Sequence, residues 1–142
     1  MNRYCFLLLL FSLFASSLVA QDFEEEEECE MVKNSKADKL YKKSEAVAKK
    51  DKALQVHLLK QAILEEEDYI DAYWKLARIA MARESYKSAQ KNLEQVLAIC
   101  PTYNIYSHYY LGRIYYGSEE YSKAVHHMTQ FMKHPDDIKT DR

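Results

Sequence analysis

Three histidines near the C-terminal end, His126, His127 and His134, are the residues whose type most readily suggests chemistry. Imidazole is a common zinc ligand, and zinc sites usually combine His and Cys residues at short fixed spacings. His126 and His127 are adjacent, so on a helix their side chains point about 100° apart. The chain has no His-x-x-x-His and no Cys-x-x-Cys pattern. We therefore expect no metal site and interpret these histidines as surface or groove residues.

No residue pattern in the chain favours an enzyme. Gly and Pro occur only twice each, and no Gly-rich phosphate-binding motif or catalytic triad is recognisable. The acidic run Glu65–Glu67 is typical of a solvated helix end. The formal net charge of −2 at pH 7 provides no strongly basic face for nucleic acid. We therefore expect a binding or structural protein that is not an enzyme and uses no cofactor.

The first twenty residues have the layout of a secretory signal peptide. Arg3 supplies a positive charge, residues 5–14 (CFLLLLFSLF) form an apolar run, and residues 15–20 (ASSLVA) are small or weakly polar. Cleavage is expected after Ala20, with Ser17 as the alternative position. The competing interpretation is an uncleaved anchor, but the apolar run is shorter than the roughly 20 residues that span a bilayer. The sequence thus predicts an exported chain with no membrane span after cleavage.

Cys29 and Cys100 remain after this cleavage, and an even pair in an exported protein is a candidate disulfide. If consecutive helices run antiparallel, the start of the first helix and the end of the fourth lie at the same end of the stack. The segment before Ser35 can span the remaining gap at about 3.3 Å per residue. The alternative is two separate thiols, with Cys100 as a small buried residue.

The segment that follows the signal peptide, residues 21–34, is predicted to be an acidic, flexible lead. Five consecutive glutamates, Glu24–Glu28, repel one another and favour solvation. Calcium binding is the alternative interpretation. It is weaker, because an acidic run fixes no ligand geometry.

Six amphipathic helices are predicted beyond this lead. Apolar residues recur with the spacing i, i+3, i+4, i+7 that is typical of such helices. Ser35 is the expected cap of the first helix, Gly117 is expected to adopt a left-handed turn after the fifth, and Ser118 is the expected cap of the sixth. The predicted helices cover Ser35–Lys50, Ala53–Glu65, Ile70–Ala82, Ser85–Ile99, Ile105–Tyr116 and Ser118–Lys133.

The predicted helices repeat. Tyr86-x-x-Ala89 recurs 35 residues later as Tyr121-x-x-Ala124, and Leu76-Ala77 recurs as Leu111-Gly112. Ile70 to Tyr103 (IDAYWKLARIAMARESYKSAQKNLEQVLAICPTY) resembles a tetratricopeptide repeat, whose period is 34 residues, along its whole length. The residues that carry the resemblance are Tyr73, Leu76, Ala77, Tyr86, Ala89, Val96 and Pro101.

The neighbouring segments resemble the same repeat less closely. The C-terminal copy has His108 where the family has a large aromatic residue, and its Pro135 falls one residue early. The N-terminal copy has Lys42 where the family has Leu. The resemblance implies an all-α, solenoid-type fold of about three helical hairpins. The predicted segments are a signal peptide (1–20), an acidic lead (21–34), a degenerate repeat (35–69), two further repeats (70–104 and 105–137) and a polar tail (138–142).

A narrower resemblance concerns the cell envelope. The signal peptide, the Cys-containing lead, KADKLYKKSEAVAKK and CPTYNIYSHYYLGRIYYGSEEYSKA resemble the N-terminal region of certain Gram-negative envelope proteins. In that group the repeats continue into a β-propeller and a peptidoglycan-binding OmpA-like domain, and some members serve in secretion or gliding machinery. The resemblance implies a periplasmic scaffold module at the outer membrane. This chain contains neither of the later domains, so the peptidoglycan function is not carried over.

The family pattern also implies a binding surface, because the inner helices of stacked hairpins line a concave groove. Aromatic and Arg side chains, which carry much of the binding energy at protein interfaces, are frequent at the groove positions. We expect Arg78 and Arg113 to stand close together and to hold a carboxylate of a peptide; the alternative is that the aromatic residues only pack the solenoid. The predicted groove residues are Asp71, Trp74, Arg78, Met81, Tyr106, Tyr109, Arg113 and Tyr116.

The sixth helix supports an alternative function. A solenoid needs a polar cap at its end, and the residues after this helix are too few and too polar to cap it. Phe131 and Met132 are therefore expected to be exposed. In this alternative the chain is a structural module that packs on a downstream domain or forms a homodimer through its uncapped helix.

Overall fold

The chain forms six α-helices, according to a computed structural model that describes residue 29 and residues 34–134. No strand occurs among these residues, so the predicted all-α class is confirmed for them. The predicted signal peptide, the polar tail and all of the acidic lead except Cys29 and Asn34 lie outside the described residues. The helices are α1 (Ser35–Val47), α2 (Lys52–Glu65), α3 (Ile70–Ala82), α4 (Tyr86–Ile99), α5 (Tyr106–Gly117) and α6 (Tyr121–Met132).

Consecutive helices pack in pairs to form three hairpins. α1 packs on α2, α3 on α4 and α5 on α6, and smaller interfaces join α2 to α3 and α4 to α5. Each hairpin therefore meets chiefly the next one along the chain, which is the arrangement of a solenoid-like stack. None of the described helices is long and apolar enough to cross a membrane.

The start of α1 differs from the prediction. Asn34, not Ser35, caps this helix: its Oδ1 accepts hydrogen bonds from the backbone N–H groups of Lys36 (3.0 Å) and Ala37 (3.3 Å). The Asn34 amide also donates to the carbonyl oxygen of Glu65 at 3.0 Å, so the cap joins the start of α1 to the end of α2. An Asn side chain is as good a cap as Ser, and here it has this second partner.

The turn between α5 and α6 also differs. Gly117 lies within α5 and has no positive φ; the left-handed residue is Glu119, with φ of 63°. Ser118 does not cap α6, which begins only at Tyr121. The backbone N–H of Glu120 donates to the Tyr115 carbonyl at 2.9 Å. A hydrogen bond across six residues at a helix end needs a left-handed residue just before the donor, which here is Glu119.

The turn between α3 and α4 has the same geometry. The Ser85 N–H donates to the Ala80 carbonyl at 2.9 Å, and Glu84 has φ of 57°. Both features stand 35 residues before their counterparts in the last hairpin. The recurrence seen in the side chains is therefore also present in the backbone.

The turns between hairpins repeat as well. At the end of α2 the Glu66 N–H donates to the Ala62 carbonyl (3.0 Å), and at the end of α4 the Cys100 N–H donates to the Val96 carbonyl (2.9 Å). A tyrosine, Tyr69 or Tyr103, follows each turn at the same distance along the chain. The helices after the turns start at different places: α3 begins directly after Tyr69, whereas α5 begins three residues after Tyr103.

Small residues let the helices approach closely. Ala37, Ala62, Ala72, Ala77 and Ala89 are almost completely buried. Gly112 is the extreme case, because a Cβ atom there would lie 3.0 Å from Cγ of Met128 on α6. The larger core residues Leu59, Leu93 and Leu111 fill the space between the hairpins.

A disulfide joins Cys29 to Cys100, with their Cα atoms 5.6 Å apart. Cys100 is buried at the end of α4 in a cluster with Ile70 and Val96. Cys29 is thus tied to the turn between the second and third hairpins. Of the two alternatives that the sequence leaves open for these cysteines, the structure has the bridged one.

Candidate protein-binding surface

A continuous line of aromatic rings crosses from α3 to α5. The ring of Trp74 on α3 lies 6.0 Å from that of Tyr110 on α5, and Tyr110 meets Tyr109 edge-on at 5.5 Å. All three side chains are half-buried, so each keeps part of its surface exposed to solvent. Rings with an apolar body and a polar tip suit such surfaces. Tyr110 was not among the predicted groove residues, although it links two that were.

The two predicted arginines face different neighbours. The guanidinium carbon of Arg113 lies 5.6 Å from the ring centre of Tyr109, one turn earlier on the same helix. Arg78 lies within electrostatic reach of Tyr41 on α1, since its charge acts to lower the pKa of that hydroxyl. Both arginines are exposed. Each can therefore meet an acidic group of a ligand, and the close approach of the two arginines stays a prediction.

Tyr106 and Tyr109 serve a second purpose, which is to cover Phe131. The ring of Phe131 lies 5.8 Å from that of Tyr106 and 5.3 Å from that of Tyr109. Phe131 is consequently half-buried and only partly matches the prediction of an exposed residue, whereas Met132 beside it is exposed. The helix period separates the two, because Phe131 faces α5 and its neighbour is rotated by about 100°.

The remaining predicted groove residues differ in how far they are available. Met81 packs against the core between the second and third hairpins. Tyr116 is exposed and meets Tyr121 of α6 edge-on at 5.8 Å. Asp71 accepts a short hydrogen bond from the hydroxyl of Tyr103 and is already occupied within the chain. The surface available to a ligand is thus centred on Trp74, Arg78 and the α5 tyrosines.

Two tyrosine–aspartate pairs beside this surface were not foreseen. The Tyr69 hydroxyl donates to Asp38 at 2.7 Å, just as Tyr103 donates to Asp71. In each pair a tyrosine that follows the second helix of a hairpin reaches back to an aspartate in the first turn of its first helix. The 34-residue spacing of the two tyrosines is the sequence signal that could have identified them.

Burial and these carboxylates keep the phenols protonated. Burial, followed by the hydrogen bond to Asp38, raises the pKa of Tyr69 well above its ordinary value. Burial and Asp71 act in the same way on the pKa of Tyr103. Burial and the charges of Glu45 and Asp71 raise the pKa of Tyr41 to about 12. The hydroxyls therefore remain hydrogen-bond donors at any physiological pH.

One pair of histidines comes together between α5 and α6. The Nδ1 atoms of His108 and His127 lie 2.9 Å apart, and the His127 ring stacks on Tyr115 at 5.4 Å. Burial, then the charge of His127, lowers the pKa of His108 to about 4, and burial lowers that of His127 as well. Among the residues that the structure describes, no group of three or more His, Cys, Asp and Glu side chains is placed to hold a metal ion.

Comparison with known proteins returns no match, whether the chain is searched against protein-family models, against curated proteins or against solved structures. The proposals that follow therefore rest on the residues and on their geometry.

Proposed function

We propose that this chain is a tetratricopeptide-type module that binds a segment of another protein on the surface formed by Trp74, Arg78, Tyr109 and Tyr110. The chain supplies affinity through its rings and selectivity through its guanidinium group. It performs no chemical step. The binding partner is a polypeptide with apolar side chains for the rings and an acidic group for Arg78.

The repeated backbone supports the fold assigned in this proposal. The left-handed residues Glu84 and Glu119 stand 35 residues apart, and the turns that end at Glu66 and Cys100 stand 34 apart. A spacing of 34 residues, built from two helices per unit, is that of the tetratricopeptide repeat. Stacked units of this kind present the side chains of their first helices on one surface.

The observation that carries the binding proposal is the half-buried ring series from Trp74 to Tyr109, flanked by the exposed Arg78. Trp, Tyr and Arg are the residue types whose truncation most often weakens protein interfaces. Tyr115, a ring of the core, is only 4% exposed. The three rings of the series each keep part of their surface exposed, on helices of two hairpins.

Trp74 is the only tryptophan in the chain, so its fluorescence reports on this surface directly. The test is to select binding peptides from a displayed random library and to titrate them against the protein while following Trp74 emission. We expect a shift in emission on binding. Arg78→Ala should weaken binding by about 10-fold or more, as loss of an interface arginine commonly does.

A matched control is Tyr86→Ala, which removes an exposed aromatic residue from α4, away from the ring series. Peptide affinity should be unchanged in this variant. Peptides that bind Arg78→Ala and the parent protein equally, or whose binding leaves Trp74 emission unaltered, would place the binding surface elsewhere. A library that yields no binder would count against the proposal itself.

We propose an envelope location, with the chain exported and held in the periplasm near the outer membrane. The signal-peptide layout of residues 1–20 and the disulfide between Cys29 and Cys100 support it, because disulfides persist in oxidising compartments. Fractionation of cells that produce the tagged chain is the test, and retention of the intact chain in the cytoplasm would contradict it.

A further inference from the structure

The outer face of α6 carries an apolar stripe that no described helix covers. Tyr121 is 56% exposed, Val125 66% and Met132 65%, and Met128 between them is half-buried. Their positions follow the spacing i, i+4, i+7, i+11, which keeps them on one side of a helix. The stripe is separate from Phe131, which faces α5.

A cleft lies beside this stripe. It has a volume of about 410 Å³ and an apolar lining formed by the C-terminal half of α5 and the adjacent side of α6. Small residues form its floor, which leaves room for the side chains of an incoming helix. The lining residues are Gly112, Arg113, Tyr116, Gly117, Ala124, Val125 and Met128.

The preceding hairpin shows what fits such a surface. Gly112, Ala124 and Met128 stand 35 residues after Ala77, Ala89 and Leu93. Those three earlier residues are buried in one cluster with Leu111, Ile114 and Tyr115 of α5. One hairpin earlier, therefore, the equivalent surface is covered by an amphipathic helix. The cleft beside the last hairpin has the shape and the apolar lining to hold another amphipathic helix.

We infer that this cleft is filled by a second copy of the chain, whose α6 packs antiparallel to the first α6 about a two-fold axis. Helix α6 forms one wall of the cleft and also carries the stripe. Each copy can therefore insert its stripe into the cleft of the other copy. This self-complementarity is what a closed two-fold dimer requires. The inference is independent of the proposed peptide-binding surface.

Charge favours the antiparallel direction. The exposed acids Glu119 and Glu120 precede α6, where Glu120 forms an ion pair with Lys123 at 2.6 Å, and the exposed Lys133 follows the helix. An antiparallel pair brings the acidic start of each helix to the basic end of the other. The opposite end of the chain is a poorer partner, because α1 exposes lysines (Lys36, Lys39, Lys42 and Lys43) that would approach Arg113 at the cleft.

The test is the mass of the purified protein in solution, measured by sedimentation equilibrium across a range of concentrations. We expect twice the mass of one chain. Val125→Glu and Met132→Glu should each raise the dissociation constant of the dimer by at least about 100-fold, because each buries a charge without a partner. Both positions are exposed in the single chain, and unchanged helicity by circular dichroism will verify folding.

The matched control is Leu64→Glu, which places the same charge on an apolar residue of α2 that is 82% exposed. It should leave the dimer intact. A protein that stays monomeric up to about 1 mM, the limit of weak association, would overturn the inference. So would a dimer that Val125→Glu and Met132→Glu leave unaffected.

A charge exchange tests the direction of the helices. Lys133→Glu should weaken the dimer, since it places like charges together at both ends of the pair. Adding Glu119→Lys in the same chain should restore the affinity, because each lysine then faces a glutamate of the other copy. If the double variant dimerises more weakly than the single variant, the antiparallel arrangement is wrong. The peptide test avoids these residues, so the two proposals can fail separately.

Discussion

The contact between His108 and His127 depends on a single proton. Two imidazole Nδ1 atoms 2.9 Å apart can share a hydrogen bond only if one of them carries a proton and the other does not. His126 on α6, and His134 and Lys133 just after it, act on His108. His126 and Lys123 act in the same direction on His127, where Glu94 of α4 partly offsets them. A second proton at this pair would therefore meet mostly positive surroundings.

This pair should make the stability of the protein depend on pH. The folded-state pKa of His108 is about 4, below its ordinary value of 6.5, so the unfolded chain binds a proton that the folded chain does not. The free energy of unfolding should thus fall as the pH drops from 6.5 towards 4. We expect a loss of about 1 to 2 kcal/mol from His108, discounted because the ring is only half-buried.

Urea denaturation of the parent protein and of His108→Gln at several pH values between 4 and 7 measures this loss. The difference in unfolding free energy between the two proteins should change across that range. His57→Gln, which alters an exposed histidine on α2, should behave like the parent. Identical pH profiles for His108→Gln and the parent would rule out this source of pH dependence.

At the scale of the elements, each left-handed glutamate lies at the turn within a hairpin. A left-handed backbone costs a non-glycine residue roughly 1 to 2 kcal/mol. Glycine occupies neither position, although both turns need positive φ. Glu84 and Glu119 therefore mark places where the sequence opposes the turn that the packing of the helices imposes.

Replacing these residues should stabilise the protein. We expect Glu84→Gly and Glu119→Gly each to raise the free energy of unfolding by about 0.5 to 1 kcal/mol, less than the full cost because glycine also gives the unfolded chain more freedom. Thermal denaturation followed by circular dichroism measures the change. Glu67→Gly, in an exposed turn whose φ is not positive, should be neutral or destabilising. Equal changes in the free energy of unfolding at Glu67 and Glu84 would show that the positive φ of Glu84 is not the cause.

The sequence predicted the helices better than it predicted the contacts between them. Apolar periodicity located all six helices, and α3 was predicted with the same bounds as observed. The cap of α1 and the start of α6 were wrong: Asn34, which also bonds to the end of α2, caps α1 in place of Ser35, and α6 begins at Tyr121, not Ser118. The spacing of apolar residues reports on one helix at a time, whereas the cap of α1 also depends on a contact with another helix.

The proposed binding surface shows the same limit. The repeat pattern pointed to Trp74, Arg78 and Tyr109, but it did not identify Tyr110 or the pairing of Tyr69 with Asp38. That hydrogen bond joins residues 31 apart, and the one between His108 and His127 joins residues 19 apart. Contacts between residues so far apart leave no pattern in the sequence, because they depend on how the turns place the helices against one another.

At the scale of the whole molecule, the disulfide encloses the first two hairpins in one covalent loop. Cys29 and Cys100 are 71 residues apart, and closing a loop of this length restricts the unfolded chain by about 4 kcal/mol. Changing both cysteines to serine should therefore lower the free energy of unfolding by about that amount. Urea denaturation with and without a reductant measures it.

The double variant provides its own control, because a reductant should have no effect on it. The reduced parent protein and the double variant should also denature at about the same urea concentration. If reduction leaves the stability of the parent unchanged, the bridge contributes nothing to folding.

The same bridge determines how the molecule would respond to mechanical tension. A pull on the segment that leads into Cys29 passes through the sulfur atoms to Cys100 and on to α5, so the first two hairpins lie outside the load path. Only the last hairpin would extend under such force, and the loop between Cys29 and Cys100 would add nothing to the length of the stretched chain. In a protein attached at both ends, the force would act on the third hairpin and would not act on the first two.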